Sequence, residues 1–120
     1  MSTGTYKYNV RRANSIKEQL EQVMSQDIIS SHEVIDRIIL LDIVKMGKRE
    51  TSISFKSDVP LSVRAQNRAP GIFIDGYSKE NFELLVGIIL GELTCAGWNV
   101  TPTHTKNGIV LTLTVPSHLL

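Results

Sequence analysis

The sequence predicts one α+β domain, in which two to three helices pack on one face of a small, mostly antiparallel sheet with a C-terminal β-hairpin. Apolar residues recur at helical spacing between residues 14 and 47 and again between 78 and 97. Residues 51–56 alternate between polar and apolar types, as expected for a half-buried strand. Near the C-terminus, two alternating runs flank Asn107-Gly108, the sequence signature of a tight hairpin turn. A length of 120 residues fits one domain.

Composition and charge restrict the classes of function. The chain has 13 Lys and Arg residues against 12 Asp and Glu residues, so it offers no general attraction for nucleic acid or anionic lipid. No apolar run approaches a membrane span, and the N-terminus lacks a signal-peptide hydrophobic region, so we expect a cytoplasmic protein, or a virion protein if viral. The single Cys95 excludes an internal disulfide and multi-cysteine zinc sites. We expect no cofactor and no metal.

The N-terminal half is predicted to form an arm and two helices. Residues 1–13 are the arm, and residues 14–120 the domain. Asn14 or Ser15, with Glu18 three positions after Ser15, predicts the start of a first helix that ends near Asp27. Ser30 or Ser31 would cap a second helix that ends at Gly47 and should be buried, because it is apolar on nearly all sides. A strand over residues 38–44 is the alternative that the Ile-rich and Val-rich run leaves open.

The remaining elements follow from short local signals. Ile53 and Phe55 should face the core from the strand 51–56. Residues 71–75 predict another strand, closed by Gly76, and Ser78 caps a further helix that ends at Gly97.

A type I′ turn at Asn107-Gly108 would set the register of the hairpin. It pairs Lys106 with Ile109 and His104 with Leu111, which places His104 on the apolar face. Because Pro102 cannot donate a backbone hydrogen bond, its strand should lie at the sheet edge.

The order of these elements resembles a group of viral proteins. VIDRIILLDIVKMGKRETSISF, a helix ending in Ala96-Gly97-Trp98 and the hairpin NVTPTHTKNGIVLTLTV resemble small accessory and structural proteins of tailed bacteriophages. Those chains often run helix, Gly, strand, helix, Gly-aromatic, hairpin. The resemblance implies an accessory or structural role and supplies no catalytic residue.

The predicted ligand-binding or partner-binding site lies in the loop between Pro60 and Pro70. Residues 59–70 contain two arginines and no acid. Guanidinium and carboxamide groups together recognise phosphates or carboxylates, so the loop would bind an acidic protein or a nucleotide-like ligand. The predicted site residues are Arg64, Gln66, Asn67 and Arg68.

Other residues that carry chemistry have simpler interpretations. His32 and His104 are the candidate acid or base groups if the protein is a small enzyme, although neither belongs to a recognisable motif. Cys95 is predicted to lie in the core, because it is in the last turn of an apolar helix and has no neighbouring basic residue in the sequence. Gly87 and Gly91 allow a close helix contact, either within the molecule or between copies.

The sequence favours a non-enzymatic binding or assembly protein, a homo-oligomer or a phage component. One alternative is capture of an anionic ligand through Arg64 and Arg68, and a second is a small enzyme with a histidine acid or base. We expect a homo-oligomer with no membrane association and no role in nucleic-acid binding.

Overall fold

The computed structural model describes residues 12–59 and 71–119. Most of the predicted N-terminal arm lies outside these ranges. The elements in chain order are α1 (Ile16–Ile39), a π-helix (Leu40–Lys45), β1 (Glu50–Lys56), β2 (Gly71–Phe73), α2 (Lys79–Cys95), β3 (Asn99–Thr105) and β4 (Gly108–Thr114), with short 3₁₀ turns at Ala13–Ser15 and Ser117–Leu119.

The α+β prediction is confirmed: helices pack on one face of a four-stranded mixed sheet in the described part of the chain. The strand order is β2-β1-β4-β3, with β1 and β2 parallel and the other two pairs antiparallel. Ile53 and Phe55 are fully buried between the layers, as predicted. The helices contribute the other half of this core through Met24, Ile35, Ile38, Phe82, Leu85, Val86, Ile89 and Leu93.

The prediction of two separate helices before Gly47 is wrong. Helix α1 runs through Ser30 and Ser31 without a break and continues into the π-helix, so residues 38–44 are helical throughout. Ser31 caps nothing: it is buried, and its Oγ donates to the carbonyl oxygen of Asp27 at 2.7 Å. That bond to the preceding turn satisfies the hydroxyl inside the helix, which is why a potential capping residue is tolerated there.

The predicted helix ends are confirmed where glycine signals them. Gly97 has φ +98°, and the N–H groups of Gly97 and Trp98 donate to the carbonyls of Thr94 and Leu93. This is a Schellman ending of α2. Gly47 has φ +73° after the π-helix. At the other end of α2, Ser78 Oγ accepts from the Asn81 N–H at 3.1 Å, the predicted N-cap.

The hairpin forms as predicted, but its turn does not. The turn residues are Lys106 and Asn107, and Thr105 pairs with Gly108, so the predicted pairs are wrong. Asn107 and Gly108 both lack the positive φ that a type I′ turn requires. Gly108 lies instead beside β1, where an added Cβ would overlap the Phe55 carbonyl oxygen.

In the observed register, each β3 residue pairs with the β4 residue two positions before the predicted partner. Because side chains alternate between the two faces of a sheet, each residue still lies on its predicted face. Ile109, Leu111 and Leu113 are buried, as expected from the alternation. Strand β3, which contains Pro102, is at the sheet edge, as predicted. On the face of the sheet opposite the helices, side chains are mainly hydroxyls, and Ser52 Oγ lies 3.2 Å from Thr112 Oγ1.

Candidate interaction surface

The predicted site residues Arg64, Gln66, Asn67 and Arg68 lie outside the described residues, so their role stays a prediction. The residues on either side of this segment are held together. The Asp58 N–H donates to Asp75 Oδ1 at 2.8 Å, and the Gly76 N–H donates to Asp58 Oδ1 at 3.1 Å. Asp58 has φ +54°, a conformation that Asp adopts more readily than most residues. These bonds bring together the two carboxylates that flank the segment.

The structure separates the two candidate acid or base histidines. His104 lies on edge strand β3 opposite Ile109, so the predicted pairing with Leu111 is wrong. It is on the predicted apolar face of the sheet, but its side chain is exposed. Its position at the outermost strand explains the exposure, because the helices do not cover that part of the sheet. His32 lies on α1, with Nε2 3.0 Å from Glu92 Oε1 on α2.

A groove lies between α1 and α2 on the side away from the sheet, with a volume of about 570 Å³. We call it the helix groove. The His32–Glu92 pair joins the two helices along it. Its apolar lining includes Ile29, Leu84 and Ile88, whose exposed fractions are 60%, 52% and 40%. The groove therefore offers large apolar side chains to solvent from two helices whose other faces are already packed on the sheet.

The outward side of α2 continues this apolar character to its C-terminus. Gly87 and Gly91 are exposed, and a Cβ added at either would meet no atom within 4 Å. Among residues 12–59 and 71–119, no helix makes a close contact at these glycines. Cys95 is also exposed, contrary to the core prediction, because it follows Leu84, Ile88 and Gly91 at helical spacing on this outer face.

A second exposed apolar surface is formed where α1 ends. We call it the helix-end surface; it consists of Leu40, Leu41, Val44 and Met46. Val44 and Met46 are 66% and 69% exposed, so the prediction that this segment is buried is wrong. At helical spacing, Asp42 continues the face that points to the sheet through Ile35 and Ile38. Asp42 therefore points inward, while the apolar residues of the helix-end surface point outward.

Asp42 has a structural partner on the sheet that accounts for its inward position. The buried Thr51 Oγ1 on β1 donates to Asp42 Oδ2 at 2.7 Å. Asp42 therefore fixes this segment to the sheet, while Leu40, Leu41 and Val44 remain exposed.

Charge is distributed unevenly between the two surfaces. Helix α1 carries five carboxylates and two basic residues, and α2 carries three carboxylates and one lysine. Glu21 and Glu92 line the helix groove itself, with Lys17 as the one lysine in its lining. The chain beside the helix-end surface is net basic, with Lys45, Lys48 and Arg49 against the exposed Glu50. The helices around the helix groove are thus net acidic, and the residues beside the helix-end surface are net basic.

Tyr77 connects the segment before α2 to the middle of α1. Its hydroxyl donates to Asp27 Oδ2 at 2.5 Å. Burial, together with the hydrogen bond to the Asp27 carboxylate and its negative charge, raises the pKa of the Tyr77 hydroxyl well above its usual value. The phenol therefore stays protonated and keeps the two segments joined.

Comparison with known proteins gives no match to a family model, to a curated protein or to a solved structure. Within residues 12–59 and 71–119, no three or more His, Cys, Asp or Glu side chains are arranged to hold a metal ion. The helices of that same part are too short or too polar to cross a membrane.

Sequence reasoning did not identify the two apolar surfaces as exposed. The available signal was that both α1 with its π-helix and α2 are apolar on more than one face. One face of each suffices to cover a single small sheet, so the second apolar face indicates a surface for contact.

Proposed function

We propose that this protein is a non-enzymatic assembly protein whose helix layer contacts further copies of the same chain. The observation that carries the proposal is the exposure of large apolar side chains on both described helices after the core is complete. Rigid helices cannot turn these side chains inward without breaking the packing of Ile35, Leu85 and Ile89 on the sheet. Association with another chain would remove them from water.

The distribution of glycine supports a protein contact. Gly87 and Gly91 lie in the interior of α2, where glycine reduces helix stability by roughly 1 kcal/mol relative to alanine at each position. No atom of the described chain uses the space that the missing Cβ atoms leave. A close approach by another chain would use it. An accessory or structural role in a tailed bacteriophage, implied by the sequence resemblance, agrees with such assembly.

The proposal is tested by placing charge on the outer face of α2. We expect Leu84→Asp with Ile88→Asp to weaken self-association at least about tenfold, because interfaces depend on a few central apolar residues and exclude unpaired charge. Both side chains are exposed in the single chain, so the fold should persist. Sedimentation velocity over a concentration series measures the association.

The matched control is Thr101→Asp with Thr103→Asp, which adds the same charge on the exposed, opposite face of the sheet. This variant should associate like the unchanged protein. Equal association of all three proteins would contradict a role for the helix layer.

A further inference from the structure

We propose that the copies join head to tail, with the helix-end surface of one molecule seated in the helix groove of the next. This inference rests on the proposed self-association and specifies its geometry. The occupant of the groove is thus a second copy of this chain, and each molecule presents one groove and one helix-end surface.

Charge complementarity favours this unlike pairing. The helix-end surface brings Lys45, Lys48 and Arg49. The groove lining contains Glu21 and Lys17 and the His32–Glu92 pair, and the two helices that form it carry eight carboxylates against three Lys and Arg residues. Seating one surface in the other surrounds an apolar contact with opposite charges, an arrangement that accelerates encounter and selects the partner.

Pairing of like surfaces brings like charges together. A groove facing a second groove would bring two net acidic pairs of helices together, and two helix-end surfaces would bring two net basic segments together. Like charges at an interface are unfavourable, so the twofold arrangement is the weaker one.

The two surfaces cannot meet within one molecule. On α1 the groove lining runs from Lys17 to His32, and the helix-end surface begins at Leu40. Leu40 follows His32 by eight positions, which corresponds to a rise of about 12 Å along one continuous helix axis. Because a single rigid element carries both surfaces, the contact must be between molecules. Such a heterologous contact generates a ring if the rotation closes and a filament if it does not.

Mixing two complementary variants tests this geometry. The groove variant is Leu84→Asp with Ile88→Asp, and the helix-end variant is Val44→Asp with Met46→Asp. The groove variant keeps an intact helix-end surface, and the helix-end variant keeps an intact groove. We expect each variant alone to sediment as a monomer and an equimolar mixture to form a 1:1 dimer, because only one intact contact is available between them.

The possible outcomes separate this inference from the proposed function. An unchanged protein that stays monomeric at all concentrations would contradict both. If the unchanged protein associates, but the helix-end variant associates equally well or the mixture gives no dimer, the head-to-tail geometry is wrong and another self-association mode remains.

Charge reversal covers the case in which the helix-end variant does not fold, which its circular dichroism and thermal melting would reveal. Lys48→Glu with Arg49→Glu changes two exposed residues beside that surface. We expect self-association to weaken at least about tenfold. Unchanged association of this folded variant would overturn the inference.

Discussion

Gly108 is required by the sheet and not by the turn that its sequence context suggests. Its backbone lies so close to β1 that an added Cβ would overlap the carbonyl oxygen of Phe55. We therefore expect Gly108→Ala to lower the free energy of unfolding by about 2 kcal/mol or more, since backbone must move to accept the methyl group. Urea unfolding at low protein concentration measures the change.

Gly87→Ala is the matched control, because its added Cβ would meet no atom within 4 Å. In an exposed helix interior, alanine should raise the free energy of unfolding by about 0.5–1 kcal/mol. Equal effects of the two substitutions would show that Gly108 has no special contact.

Tyr77 gives the fold a dependence on alkaline pH. Because the pKa of its hydroxyl is raised in the folded chain, the folded state keeps a proton that the unfolded state loses above about pH 10. The contribution of Tyr77 to stability is therefore complete below that pH and declines as the pH rises further. Tyr77→Phe should remove this part of the decline, as measured by urea unfolding between about pH 9 and 11.

The same substitution also removes the hydrogen bond to Asp27. If Tyr77→Phe retained the full alkaline loss of stability of the unchanged protein, the proton on Tyr77 would not be its source.

The continuity of α1 can be distinguished from two helices by one proline. In one helix, Ser30 lies in the interior, so Ser30→Pro should lower the free energy of unfolding by about 3 kcal/mol or more. In the two-helix arrangement, proline near the start of a second helix would be tolerated. Urea unfolding makes the measurement, with Ser30→Ala as a control that should be neutral or slightly stabilising. A tolerated proline would contradict the continuous helix.

Local signals in the sequence predict the ends of elements well where a single residue determines the backbone conformation. Ser78, Gly47 and Gly97 mark helix boundaries because capping bonds and positive φ are properties of those residues. Ser30-Ser31 carries the same type of signal, yet continuation of the helix through the buried Ser31 overrides it. The turn at Lys106-Asn107 was also missed, because the approach of β1 to Gly108 is a tertiary contact.

The outward face of the helix layer could not be assigned from periodicity. When both faces of a helix are apolar, as on α2, the spacing of residues does not tell which face packs on the sheet. Cys95 was therefore assigned to the core on its apolar neighbours, although it lies on the outer face. The anionic-ligand site at Arg64 and Arg68 lies outside the described residues, and it stays a prediction.

For the molecule as a whole, the completed core and the remaining exposed apolar residues point to the same conclusion. The sheet is covered on one face by the helices, and its other face carries mainly hydroxyl groups together with the half-buried Val110 and Phe73. The described helices still expose Ile29, Leu84 and Ile88 at the groove and Val44 at the helix-end surface. Assembly is thus expected through the helix layer.

The mass of the unchanged protein as a function of concentration tests the central claim most directly. Sedimentation equilibrium between about 1 and 100 μM covers the range in which a specific contact of moderate affinity is populated. We expect the average mass to rise above the 13.4 kDa of one chain as concentration increases. A mass that stays at 13.4 kDa over the whole range would contradict self-association through the helix layer.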